Sequence, residues 1–452
     1  MKPIFRLTAH GAAKVLRTPA CRLALACAIA TGASVTLAAS PSSNRASAIA
    51  QAGSLDPGFG AGGRVILDVG EEAGLAAPQA ALLPDGKILS VGIIGRNTVF
   101  LVRKVPAGWP DTTFGEGGST RTVLGIEGQY VLRDRLVMPD GGLLLAGHAA
   151  RQDGVSTLLY ARFTPEGHLD PAFGTGGLAE IDLPATTFDQ AQHMALQPDG
   201  KIVAVARSVR DTRDWDSVLL RLTADGRLDP GFGSGGIAAH PIRGSIIKRV
   251  SVLPDGKLLL SGSYLEYALL SRHHADGRLD GTFGNDGHFR LLAPGILDYN
   301  HFNDVALQDD GRIVVVGSAG AGNRTSVIAR VEPDGSGLDP TFNGGVPLLV
   351  PSVTGATEEE DVALQADGKI VSLGTVSALP TVSARLLRLR ADGSLDIGFG
   401  QGGSVVTDPI PGAQHLLKHL QIQPDGKYLA SGLVFDAARQ SLGVFRFLAS
   451  AP

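Results

Sequence analysis

The chain has 452 residues, 60 of them glycine, with 40 basic and 44 acidic side chains and only two cysteines. Its first fifty residues hold six bases (Lys2, Arg6, Lys14, Arg17, Arg22, Arg45) and no acid, so the remainder carries 34 basic against 44 acidic groups. That negative balance argues against nucleic acid or an anionic membrane as partner. Cys21 and Cys27 both lie in the leader, leaving the rest without a disulfide, a thiolate zinc site or a cysteine nucleophile.

The leader comes first. A basic start, the apolar small-residue stretch from Leu23 to Ala39 and cleavage candidates after Ala39 and Ala48 read as a signal peptide with a short linker over residues 1–48. The Thr31-Gly32-Ala33-Ser34 interruption weakens the rival reading, a transmembrane anchor. Only Leu23 to Ala26 precede Cys27, too short an apolar run to favour lipid attachment there. An extracytoplasmic place follows: secreted, periplasmic or at the cell surface. No membrane span is expected after cleavage.

Residues 49–452 repeat one phrase. It starts at Leu55 (LDPGFGAGG), Trp109, Leu169, Leu228, Leu279, Leu338 and Leu395, at a period of about 57 residues. A second signal, the Pro-Asp-Gly-Lys turn, stands at Pro84, Pro198, Pro254 and Pro424, with variants at Pro139, Asp309 and Ala366. Asp-Gly between apolar runs marks a tight hairpin. A short strand precedes it (Asp304 to Gln308), a β-branched strand follows (Ile313 to Gly317), then a third (Val327 to Val331) and, after the phrase, a fourth (Pro347 to Val350). Seven such units predict an all-β fold, a seven-bladed β-propeller of four-stranded blades. A straight β-solenoid is the alternative, but its coils repeat in far fewer residues. No run outside the leader has helical length and period.

The two ends complement one another. The first phrase and its strand from Arg64 have no earlier unit to finish, and the last unit stops at its third strand, Gly443 to Phe447. Pairing them predicts a ring closed by the N-terminal strand joining the last blade, which hides an edge that otherwise invites aggregation.

The succession LDpxFGxGG, QPDGKIxxxG and aRLxxDG resembles the delta-60 repeat, a bacterial propeller-type repeat of uncharacterised function. The resemblance covers roughly residues 53–447 and is best from Leu169 to Gly226. Trp109-Pro110 and Asn343 depart from it. It implies a secreted or surface-associated bacterial protein with no established activity, so it assigns no functional residues.

Other motifs reduce to the repeat. Gly58 to Gly63 matches G-x-G-x-x-G, but a dinucleotide site needs a strand before and a helix after, and here a strand follows. The phrase is better read as a tight connector, its Phe a wedge between blades and its Asp a turn former. G-x-S-x-G in a strand-to-helix setting and H-E-x-x-H are absent. Asp211, Asp214 and Asp216, and the run Glu358 to Asp361, would gather calcium weakly at best, and solvated loop charge is the better reading.

One constellation remains. Six residues before each Asp-Gly aspartate stand Gln79, Asp134, His193, Arg249, Asp304, Asp361 and His419, all polar, on the strand that lines a propeller's channel. Two before it, Gln197, Gln308, Gln365 and Gln423 suggest a Gln-rich ring at the other end. Asp304, Asp361 and His419 mix oxygen and nitrogen donors suited to a ligand or metal. The reading we favour has the ring hydrogen-bonding neighbouring chain and channel water, with Arg249 neutralising Asp304. The expected function is a monomeric, exported, non-enzymatic binding or scaffold module without cofactor, its partner a protein or carbohydrate. The alternative is an extracellular carbohydrate hydrolase or lyase drawing acid and base from Asp134, His193, Asp304, Asp361 and His419 at the channel mouth.

Overall fold

The computed structural model describes residues 51–67, 79–183, 186, 188–209, 215–351, 355–378, 381–435 and 440–450. The leader with its cleavage sites, and Asp211 and Asp214 of the first acidic cluster, lie outside the described residues.

The described chain is all-β. Strand β1 (Arg64–Leu67) is followed by seven runs of first, second and third strands, six of which also have their own fourth. These are β2 to β5 (Gln79–Leu82, Ile88–Ile94, Thr98–Lys104, Ser119–Val123) and β6 to β9 (Gln129–Val137, Leu143–Ala150, Ser156–Phe163, Leu178–Ile181). Next come β10 to β13 (Phe188–Leu196, Ile202–Val209, Trp215–Leu222, Ile237–Ala239) and β14 to β17 (Ile246–Val252, Leu258–Tyr264, Tyr267–His273, His288–Leu291). Then follow β18 to β21 (His301–Leu307, Ile313–Ala319, Thr325–Val331, Leu348–Val350) and β22 to β25 (Ala356–Leu364, Ile370–Ala378, Thr381–Leu389, Ser404–Thr407). The last run is β26 to β28 (Gln414–Ile422, Tyr428–Phe435, Gln440–Phe447). Among the described residues the one helical element is a single 3-10 turn, Asn343–Gly345, where Asn343 at φ 48° takes the left-handed place that glycine holds in the other phrases. No helix there is long and apolar enough to cross a membrane.

Neighbouring strands pair antiparallel within each run, and five sheets have four strands each. β6–β9 and β10–β13 merge into one eight-stranded sheet through a parallel contact of Phe188 with Ser156. The second and third strands are the most deeply buried, as Ile313–Ala319 shows with every residue buried. First strands of consecutive runs pack on one another: β6 on β2, β10 on β6, β14 on β10, β18 on β14, β22 on β18 and β26 on β22. β2 in turn packs on β26 and β27.

The sheet of β26–β28 takes its outer strand from the other end of the chain. β1 pairs with β28, Arg64 opposite Phe445 through Leu67 opposite Leu442. Gly53 N–H donates to Leu448 O (2.7 Å), and Leu448 N–H donates to Ser54 O (2.9 Å).

The repeated phrase builds a lock between runs. In the third run, Arg221 Nε donates to Asp229 Oδ2 (2.8 Å) and its Nη1 to Ala275 O one run ahead (2.5 Å). Its guanidinium lies over the Phe232 ring at 4.9 Å, and Lys201 Nζ stands 3.2 Å from the same carboxylate. The Gly231 N–H, then Lys201 and Arg221, hold Asp229 below the usual carboxylate range. The same arginine–aspartate pair recurs at Arg446–Asp56, Arg103–Asp111, Arg162–Asp170, Arg272–Asp280, Arg330–Asp339 and Arg388–Asp396, at 2.6 to 2.9 Å. The connector Phe is at most 2% exposed in every copy. The wedge role expected of it is what the packing shows. The arginine was not singled out from sequence, although six of the seven stand in the third strand eight or nine residues before their aspartate.

Phe173, Phe232, Phe283 and Phe342 each lie under the glycine of the Asp-Gly turn that follows the next run's third strand. Gly226 sits at φ +86°, and a Cβ there would stand 2.8 Å from ring carbons of Phe173. We therefore expect Gly226→Ala to lower unfolding free energy by about 2 kcal/mol or more, from left-handed backbone strain plus overpacking. A urea melt checks this, and an unchanged midpoint would contradict the lock.

Candidate functional site

Side chains of a regular strand alternate between faces, so a strand lining a channel offers it every second residue. The first strands here break that rule at one recurring point. The register with the second strand slips between Leu132 and Asp134, Ala191 and His193, Ile247 and Arg249, Phe302 and Asp304, Glu359 and Asp361, and Leu417 and His419. Each slip is a β-bulge that inserts one extra residue: Arg133, Gln192, Lys248, Asn303, Glu360 or Lys418. All six are polar, and all line one cavity of about 290 Å³, together with Asp134, His193, Arg249 and His419 from the expected ring.

Sequence reading missed this second polar tier, yet a signal was present. The glycine of the IxxxG stretch stands opposite the bulge. A Cβ on Gly262 would lie 1.9 Å from Ile246 O, and one on Gly317 2.0 Å from His301 O. An isolated glycine within a strand pattern marks such a close backbone approach.

Below the bulges, the ring residues stitch one run to the next. Asp134 Oδ2 accepts from Met194 N–H (2.7 Å), Asp304 Oδ2 from Val362 N–H (3.0 Å) and Asp361 Oδ2 from Leu420 N–H (2.8 Å). His193 Nδ1 accepts from Val250 N–H at 3.4 Å, and Gln79 Nε2 donates to Arg133 O at 2.7 Å. Arg249 spans the middle, with Nε 3.1 Å from Asp304 Oδ1, Nη2 3.8 Å from Asp361 Oδ2 and Nη1 3.5 Å from His193 Nε2. Burial raises the Asp304 carboxyl well above its usual range despite Arg249. Burial works against the Arg249 charge, but Asp304, Asp361 and Asp134 outweigh it and hold the guanidinium protonated. Burial lowers His193 to about 4 and drives His419 well below the usual imidazole value, Arg135 and Arg249 adding to the latter. Both histidines are therefore neutral at pH 7. Among the described residues no group of three His, Asp, Glu or Cys side chains is arranged to hold a metal ion. Between Asp304 and Asp361 the cation is the Arg249 guanidinium.

Arg135, the one charged residue at a position otherwise apolar, turns its Nε to Ala80 O at 2.8 Å. At the opposite end, the glutamines reach into the fold: Gln365 Oε1 accepts from Tyr428 OH (3.0 Å), Gln308 Oε1 from Arg330 (3.2 Å), and Gln197 and Gln423 are buried. Leu82, Leu83, Val137, Met138 and Ile422 make that end apolar around the first, second and last runs.

The run Glu358 to Asp361 is corrected. It is not solvated loop charge but part of β22, because that strand begins upstream of the bulge and turns successive acids to opposite faces. Glu358 Oε1 accepts from Asn303 Nδ2 (2.9 Å), lies 3.0 Å from His301 Nε2, and its other oxygen pairs with Arg324. Burial opposes its ionisation, but His301 and Asn303 hold it well below the usual carboxylate range. Glu359, wholly buried, pairs with Arg385. Glu360 is pushed up by burial and stands 3.3 Å from Lys418 Nζ. Lys248 donates to Asn303 Oδ1, and burial lowers its ammonium to about 8.

Residues 139–173, 197–232, 308–342 and 365–399 match the family model of a domain of unknown function, DUF5122, described as a β-propeller. The chain carries β-propeller repeats. No curated protein matches it in sequence. Solved structures similar to it include the polysaccharide lyase Uly1, 9% identical over 85% of this chain and 91% of that one, with a TM-score of 0.47. The β-propeller domain of the Trilobed protease from Pyrococcus furiosus is 10% identical over 83% and 96%, TM-score 0.42. The Nup133 β-propeller domain from Vanderwaltozyma polyspora is 8% identical over 84% and 100%, TM-score 0.43.

Proposed function

We propose that this protein is an exported, non-enzymatic, monomeric binding module, a seven-bladed propeller of delta-60 repeats closed by β1, whose ligand enters the mouth lined by the bulged residues. Closure is supported by the pairing of β1 with β28 and by packing that returns from β26 and β27 to β2. The observation that carries the binding role is the bulge tier. The ring beneath it already joins the runs, so structure alone does not call for a second polar tier. That tier has five residue types over six runs: Arg133, Gln192, Lys248, Asn303, Glu360, Lys418. A set of unlike donors and acceptors around one cavity suits an asymmetric ligand.

A thermal-shift screen of the purified protein against glycans and metal ions tests this. A ligand at a hundred times its Kd adds about 2.7 kcal/mol to the native state. We expect such a shift from a glycan, and its loss in Lys248→Met with Glu360→Gln. No response in the wild type, or an equal response in the double variant, would contradict the reading. A second reading, a carbohydrate hydrolase or lyase, is favoured by Lys248 at about 8 and the raised Glu360 in the same cavity. Turnover of the bound glycan would establish it. Export rests on the basic leader and places the mature N-terminus between Ser40 and Gln51. N-terminal sequencing checks it, and an intact Met1 on cytoplasmic material would overturn it.

A further inference from the structure

The cations of the mouth differ in what holds them. Lys418 stands beside Glu360, Arg324 beside Glu358 and Arg249 beside Asp304. Lys248 is held by an amide instead. Its Nζ donates to Asn303 Oδ1, and among the described residues no carboxylate lies within ion-pair distance of it. Asn303 is buried and cannot turn away. Its Nδ2 donates to Glu358 Oε1 (2.9 Å) and to Glu359 O (2.8 Å), which occupies both amide hydrogens and leaves Oδ1 to the lysine.

A carboxylate partner would favour the ammonium, whereas an amide oxygen accepts from an amine as well. An amine held this way keeps an N–H for Asn303 and a lone pair for an electrophile. Burial, with Lys418 and Arg324 adding to it against Glu358 and Glu360, lowers Lys248 to about 8. About half of it is then amine at pH 8, against less than about 1% of an ordinary lysine. The bulge between Ile247 and Arg249 turns this side chain to the cavity, which Gln192 and Glu360 also line. Glu360, pushed up by burial, is the proton donor there.

Resting on the mouth being the ligand site, we propose that Lys248 captures the aldehyde at the reducing end of a saccharide as a reversible imine. Nζ attacks the carbonyl carbon of the open-chain sugar, and one of its protons passes to the carbonyl oxygen. The new hydroxyl leaves as water on a proton from Glu360, giving an iminium beside the Glu360 carboxylate. No electrons are exchanged, and water reverses the step. Gln192 is a partner for the sugar hydroxyls further in.

Reductive trapping on the purified protein tests it. Glyceraldehyde, maltotriose, cellotriose, chitotriose and trigalacturonic acid are each supplied with cyanoborohydride, and modified lysines are mapped by peptide mass spectrometry. Lys248 is expected to gain the mass of the saccharide less one oxygen from at least one trisaccharide, at least about tenfold faster than the exposed Lys418. Lys248→Arg is expected to remove that adduct, and Glu360→Gln at saturating sugar to slow it. The same trisaccharide reduced to its alditol has no aldehyde, and is expected to raise the melting temperature less. Labelling of Lys248 by glyceraldehyde and by no trisaccharide would overturn the saccharide. Labelling of Lys248 no faster than Lys418, or an alditol that stabilises as well as the parent sugar, would overturn the imine. If stabilisation is still lost in Lys248→Met, the mouth stands as the site without it. No adduct at Lys248 and no stabilisation by any of these sugars would overturn both.

Discussion

Deleting Gln51 to Leu67 is expected to abolish cooperative unfolding and turn the protein into an aggregating species. The deletion strips β28 of its outer partner, exposing an unpaired edge. It also removes Asp56, the carboxylate that pairs with the buried Arg446 at 2.8 Å and with Lys427 at 3.2 Å. Stranding one partner of a buried ion pair costs about 3–5 kcal/mol. Phe59, Val65 and Leu67 leave a core cluster that also contains Phe100, Leu442 and Val444. Losing the phenyl ring alone costs about 3–5 kcal/mol. Together these rival the whole stability of a typical domain, about 5–15 kcal/mol. Denaturant titration with size-exclusion chromatography reads the result. A monomer with an unchanged transition would contradict the role given to the N-terminal strand.

Acidification is expected to have the second largest effect. Burial lowers His148, His193, His240, His273, His288, His301, His415 and His419, with His148, His193 and His288 at about 4 and His240 at about 3. His240 lies 5.6 Å from the His273 ring and 6.0 Å from that of His288, so protonating one opposes protonating the others. These histidines are neutral in the fold, whereas an unfolded chain protonates them below about pH 6.5. Their contribution is therefore complete above that pH and is lost as pH falls toward 4. Each costs about 1.4 kcal/mol per pH unit while only the unfolded form titrates. Asp304, Glu360 and Asp189, the last raised by burial to about 6, run the other way and offset part of the loss. The histidines outnumber them, and a net loss of several kcal/mol between pH 7 and 4.5 is expected. Urea midpoints at pH 7.5, 6.0 and 4.5 measure it. A flat profile would mean these imidazoles are protonated in the fold.

The repeat made much of the strand order legible. A 57-residue period, an Asp-Gly hairpin turn and a phrase before each outer strand foretell the runs seen, because turn chemistry and strand alternation are local properties. The incomplete ends of the chain likewise foretold β1 beside β28. Less legible was what depends on departures from alternation. Gln192 or Lys248 reads as an outward polar residue until the bulge turns it to the cavity, and only Gly262 and its counterparts hint at that. The arginines at 221 and 272 read as exposed third-strand charges until the lock brings each to an aspartate and a phenyl ring. Glu359 reads as solvated because its partner, Arg385, lies 26 residues away on β24. Pairings at that separation follow from the fold.

Hydrogen–deuterium exchange on the purified protein saturated with the glycan that raises its melting temperature, compared with the free protein, locates the ligand. Protection is expected in the segments holding the bulges, within β6, β10, β14, β18, β22 and β26, with the outer fourth strands and the Leu83–Met138 end unchanged. Protection confined to outer loops or the apolar end, or no change at all, would contradict a binding site at the bulged mouth.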